Sequence, residues 1–109
     1  MDGKFLGKIA KSEFGTYSDR PFLMGLQIEF RFDGGGVSDG GRHLINIGDN
    51  CRWENVEEKN SAYQNVLKDL AKILEDAKVN YVSQLVGKPI EIVIKNQQYE
   101  SFRILTEVL

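Results

Sequence analysis

The sequence predicts an α+β domain: a mainly antiparallel sheet in the order β-β-β-α-β-β, with one long amphipathic helix packed on a face. Three observations predict it. Residues 22–32 alternate apolar and polar side chains with a period of two. Residues 61–77 carry apolar side chains at helical spacing. Three strand-like segments precede that helix and two follow it, without the βαβ rhythm of a doubly wound sheet. At 109 residues the chain suits one core, so it reads as a single domain, 1–109.

The first strand is expected over residues 4–14, ended by the turn-forming run Gly15–Pro21. The second is the clearest: Phe22, Met24, Leu26, Ile28, Phe30 and Phe32 form one face, with Leu23, Gly25, Gln27, Glu29 and Arg31 on the other. Such a stripe is the inner face of a sheet. His43–Ile47 is β-branched enough to pair back on the second strand, which makes Asp33–His43 a long hairpin connection. Residues 48–60 show no period and read as a linker holding the single tryptophan, Trp53.

The helix is predicted over Ser61–Ala77, capped by Asn60 or Ser61. Tyr63, Val66, Leu67, Leu70, Ile73, Leu74 and Ala77 mark its buried face, and Lys68, Asp69, Lys72, Glu75 and Asp76 its solvated one. Val79–Gly87 reads as a turn plus a single helical turn capped by Asn80. Pro89–Lys95 and Tyr99–Glu107 then form a hairpin around Asn96–Gln98. Its second strand points Phe102, Ile104 and Thr106 inward and Ser101, Arg103 and Leu105 outward.

Composition excludes several classes. A hydrophobic content of 41% with 28% charged residues is ordinary for a globular domain, and no run approaches the roughly 20 apolar residues of a membrane span. The first ten residues lack the apolar core of a secretory signal, so a cytoplasmic location is expected. The lone Cys51 forms no internal disulfide and, with one histidine in the chain, no zinc cluster; it reads as structural, and no metal or cofactor is expected. A net charge of −2 argues against a broad face for duplex nucleic acid, while a small anionic ligand stays compatible with local cations and peptide N–H groups.

The stretch Asp33–His43 concentrates the candidate chemistry. Five of its eleven residues are glycine, which lets a partner approach the backbone closely. It lacks the Gly-Lys-Ser/Thr ending of a phosphate loop and leads to a strand, so neither that motif nor a dinucleotide fingerprint applies. A plain hairpin loop and a ligand clamp are equally compatible with it. The clamp reading names Gly34, Gly35, Gly36, Ser38, Arg42 and His43, joined by the cations Lys88 and Arg103. No catalytic residue is expected, because the single histidine has no evident orienting carboxylate. The helix face and the strand stripe together hold more large apolar residues than one sheet and one helix need, which predicts a symmetric homo-oligomer.

Three segments carry a resemblance: Gly25–Phe30 followed by Asp33–Gly36, the helix ending Ile73–Val79, and Leu85–Ile92 leading to Phe102–Leu109. Together they resemble a group of small phage and prophage proteins. Their layout is similar to that of the phage Thoeris anti-defence (Tad) sponge proteins. The resemblance implies sequestration of a cyclic nucleotide immune signal, a cyclic ADP-ribose isomer or cyclic oligonucleotide, by a homo-oligomer that does not cleave it. A phage-encoded sponge would act in the host cytoplasm. From the family's binding residues the resemblance carries over Arg103 and the polar loop residues around Arg42. Val37 and Ser38 stand where the family's glycine-rich segment holds an aromatic. The competing reading is a protein-binding inhibitor or structural phage protein with no small-molecule site.

Overall fold

A computed structural model describes residues 2–39 and 41–109. Its elements are β1 (Gly3–Thr16), β2 (Leu23–Phe32), β3 (Gly35–Ser38), β4 (His43–Asn46), α1 (Val56–Ala77), β5 (Pro89–Lys95) and β6 (Gln98–Ile104). Short 3-10 turns lie at Val82–Leu85 and Thr106–Val108. Every strand pairing is antiparallel, so the chain is α+β with one long helix as expected. The sheet has one strand more than the sequence predicts, because the start of the glycine-rich stretch folds back on β2 as β3.

β1 is shared between two partners: Gly7–Thr16 pairs with β2, and Gly3–Lys8 pairs with β5. A bulge between Ile9 and Lys11 bends it where the partners change. The strand path is β3-β2-β1-β5-β6, with β4 also on β2. In a flat sheet β2 and β6 would lie about 14 Å apart, at about 4.8 Å per strand. Yet the Phe30 ring centroid is 4.7 Å from that of Phe102 and 5.7 Å from that of Tyr99. The sheet is therefore curled into a partly open barrel, and its gap lies between β3/β4 and β6. α1 packs against β4 and β6. The helix comes before the closing β5–β6 hairpin in chain order.

The interior is filled by Ile9, Leu26, Ile28, Phe30, Ile90 and Ile92, with Ile73 and Ala77 of α1 closing one side. Burying each large side chain contributes about 1.5–3 kcal/mol. The predicted alternation of β2 holds from Leu26 to Phe32, whereas Phe22 precedes the strand and is 44% exposed. β4 can approach β2 because residue 25 is glycine: a Cβ there would stand 2.0 Å from the His43 carbonyl oxygen.

α1 begins five residues before the predicted start. Asn55 caps it, accepting from the Glu58 N–H at 2.7 Å, while the Glu58 carboxylate accepts from the Glu54 N–H at 3.1 Å. Asn60 and Ser61 are interior helix residues. The solvated face is as expected, with Lys72 paired to Asp76 at 2.7 Å, but Leu67, expected on the buried face, is exposed because the helix meets the core through Leu70, Ile73, Leu74 and Ala77. Ahead of β5 the capping role falls to Gln84, whose side chain accepts from the N–H groups of both Asn80 and Tyr81. β6 stops at Ile104, which corrects the two residues that follow. Leu105 turns inward and is buried as the chain leaves the sheet, and Thr106 opens the exposed 3-10 turn. Among the described residues, no helix is long and apolar enough to cross a membrane.

Candidate functional site

The glycine-rich stretch divides into three parts. Asp33 and Gly34 make a two-residue turn, with Gly34 at φ +93°, a conformation that favours glycine. β3 follows, and residues 39–42 then lead to β4, with Gly40 outside the described residues. β3 pairs Gly35 with Phe32, Gly36 with Arg31, Val37 with Phe30 and Ser38 with Glu29. Cross-strand partners point to the same face. Gly35 and Val37 therefore face the barrel interior, and Gly36 and Ser38 face outward.

At the barrel end marked by the β2–β3 and β5–β6 turns lies a cavity of about 470 Å³. Phe32, Gly34, Gly35, Gly36, Gln97 and Tyr99 line it. The Tyr99 ring stacks on Phe30, and the Arg42 guanidinium lies 5.3 Å from its centroid. Burial, reinforced by the nearby Asp39 charge and opposed by Arg42, pushes the Tyr99 phenol up to about 12. Arg42 Nη2 also donates to the Tyr99 carbonyl at 3.1 Å. Arg42 thus spans the barrel gap, tying the β3–β4 link to β6.

Asp39 sits beside this crossing and is only 3% exposed. Its N–H donates to the Ile28 carbonyl, and its Oδ1 accepts from the Gly41 N–H at 3.2 Å. Among the described residues Oδ2 has no partner. Burial raises its carboxyl above the ordinary carboxylate value, and the Gly41 hydrogen bond acts in the opposite direction.

A second cavity, of about 250 Å³, lies between α1 and β6. His43, Asp69, Lys72, Asp76, Phe102 and Arg103 line it. The His43 ring meets Phe102 edge-on at 6.3 Å, and its Nδ1 is buried without a partner among the described residues. Arg103 is already engaged by two carboxylates: Nε lies 3.2 Å from Glu91 and Nη1 3.1 Å from Glu107.

The structure therefore disperses the residues named from sequence. Gly34, Gly35 and Gly36 meet at the barrel mouth, with Arg42 just beyond it over Tyr99. His43 and Arg103 share the helix cleft. Ser38 faces outward, and Lys88 lines neither cavity, its backbone bonded to Leu85 and Ile9. Comparison with known proteins adds no residue to this set. No family model, curated protein or solved structure matches this chain. Phe32 and Tyr99 read from sequence as strand residues and not as part of a site. Each flanks a tight turn, Phe32 before Asp33–Gly34 and Tyr99 after Asn96–Gln97, and two turns with adjoining aromatics at one barrel end were the available signal. What the mouth offers is ring surface, peptide N–H and C=O groups and the Gln97 amide.

Proposed function

We propose that the protein is a binding module that holds a small nucleotide-like ligand in the barrel mouth and releases it chemically unchanged. In this reading it is a phage-type anti-defence sponge for a cyclic nucleotide immune signal, a cyclic ADP-ribose isomer or cyclic oligonucleotide, acting in the host cytoplasm. One observation carries it: three consecutive glycines and the rings of Phe32 and Tyr99 border one cavity of about 470 Å³. That volume falls within the roughly 300–1,000 Å³ of small-ligand sites. A base can lie on the aromatic surface while the glycine backbone meets the rest of the ligand without side-chain interference. Among the described residues, the mouth is lined by glycines, the Phe32 and Tyr99 rings, Val37, Ile94 and Gln97.

The homo-oligomer belongs to the same proposal. Leu6, Val56 and Leu67 are each more than half exposed, and a symmetric interface would cover such side chains. Sedimentation should show a species at least twice the 12.4 kDa monomer; a monomer throughout the micromolar range removes this part. The same exposed side chains also favour the second reading, a protein-binding inhibitor or structural phage protein. A thermal-shift series with cyclic ADP-ribose isomers, ADP-ribose and cyclic dinucleotides decides between the two. A ligand at a hundredfold excess over its dissociation constant stabilises the fold by about 2.7 kcal/mol. No shift with any of these compounds at millimolar concentration overturns the nucleotide reading.

A further inference from the structure

We infer that Lys8 and Arg31 form the phosphate-binding half of this site, and that its ligand carries a diphosphate or phosphodiester crossing the Gly35–Gly36 rim onto the outer face of the sheet. The inference rests on the mouth receiving the base of that ligand.

The register places Lys8 opposite Arg31, and Arg31 opposite Gly36, in one row across three neighbouring strands. Both cations are exposed, and among the described residues neither takes part in an ion pair. The other charged cross-strand pairs combine opposite signs: Lys11 faces Glu29, and Glu91 faces Arg103. Lys8 and Arg31 are the like-charged exception, and like charges directly opposite one another are destabilising. An anion held between them turns that repulsion into two attractions.

The row is continuous with the mouth. An outer groove of about 290 Å³ is lined by Ala10, Arg31, Gly36, Val37 and Ser38, and Gly36 and Val37 also line the mouth. β3 is therefore a thin wall between the two spaces, and its first two residues have no side chain to raise the barrier. The groove has its own limit. Glu29 also lines it, opposite Lys11 and Ser38, and its carboxylate repels a phosphate that extends further along β2. The cations first expected to meet phosphate are otherwise occupied, Arg42 by Tyr99 and Arg103 by Glu91 and Glu107.

The test combines amide NMR with calorimetry, using inorganic pyrophosphate, adenosine and ADP-ribose as probes. Pyrophosphate should shift the amides of Lys8, Arg31 and Gly36 in the unmodified protein and leave them unmoved in Arg31→Ala. ADP-ribose affinity should fall about tenfold or more in Arg31→Ala and in Lys8→Ala, the scale of a lost hydrogen bond to a charged group. Adenosine affinity should stay constant, and Arg31→Lys should recover part of the loss. Equal ADP-ribose affinity in all variants, or pyrophosphate shifts absent from this row, overturns the phosphate subsite while the mouth reading stands. Pyrophosphate shifts at Lys8 and Arg31 with no adenosine response at Gly34–Gly36 and Tyr99 support the anion site and overturn the mouth reading instead.

Discussion

Replacing Arg42 by alanine distinguishes a barrel latch from a ligand-binding cation. Two contacts disappear: the 3.1 Å hydrogen bond to the Tyr99 carbonyl and the guanidinium lying 5.3 Å from the Tyr99 ring centroid. The hydrogen bond is exposed, so water can replace the lost donor and no buried acceptor is left orphaned. A net hydrogen bond contributes about 0.5–1.5 kcal/mol, and an exposed cation–π contact about 0.5–1 kcal/mol. The expected destabilisation is therefore about 1–2.5 kcal/mol. In urea, with a slope of about 1–3 kcal/mol per molar, the midpoint should fall by about 0.3–2.5 M. Fluorescence of the single tryptophan, Trp53, reports the transition, since it packs edge-on against Tyr63 of α1 at 6.5 Å. Amide exchange at β6 should accelerate locally, because the latch holds that edge to the β3–β4 link. A variant within about 0.3 kcal/mol of the unmodified protein that has lost nucleotide affinity would refute the latch and return Arg42 to the ligand.

The remaining predictions concern the cap and the buried acid. Asn55→Ala should cost about 1 kcal/mol through loss of the bond to the Glu58 N–H, whereas Asn60→Ala and Ser61→Ala, inside the helix, should change thermal stability little. Asp39→Asn keeps an oxygen for the Gly41 N–H and removes a charge that burial disfavours. Because the folded-state value of Asp39 is raised, its protonated form favours folding. That contribution is complete below the unfolded carboxylate value near 3.9 and is lost as pH rises through the folded value. Urea titrations at about pH 3, 5 and 7 should therefore show Asp39→Asn gaining on the unmodified protein as pH rises. A difference that is flat, or that shrinks with pH, contradicts the burial argument.

Features that follow from local periodicity were legible in the sequence. The alternation from Leu26 to Phe32 and the helical spacing from Tyr63 to Ala77 each reflect one element burying one face, and both are in place except at Leu67, which is exposed. β3 was missed although Asp33–Gly34 is itself a two-residue hairpin signal, because Gly35 and Gly36 carry no side chain from which an alternation can be read. The helix start was missed because the Asn55–Glu58 cap precedes residues that are mostly exposed, so no apolar stripe accompanies it. The curl was illegible for a different reason. It depends on a bulge near Ala10 and on Phe30 meeting Phe102 across the interior, contacts that no window of neighbouring residues contains. The same holds for the arginines: Arg42 finds its carbonyl 57 residues along the chain, and Arg103 finds Glu91 across a hairpin.

The central claim is reversible binding in the barrel mouth, and amide NMR titration with a cyclic ADP-ribose isomer, followed by chromatography of the recovered ligand, tests it most directly. Saturable shifts centred on Gly34, Gly35, Gly36 and Tyr99, with the ligand returned unaltered, are the predicted result. Shifts confined to the cleft of His43 and Arg103, or a chemically changed ligand, would contradict it.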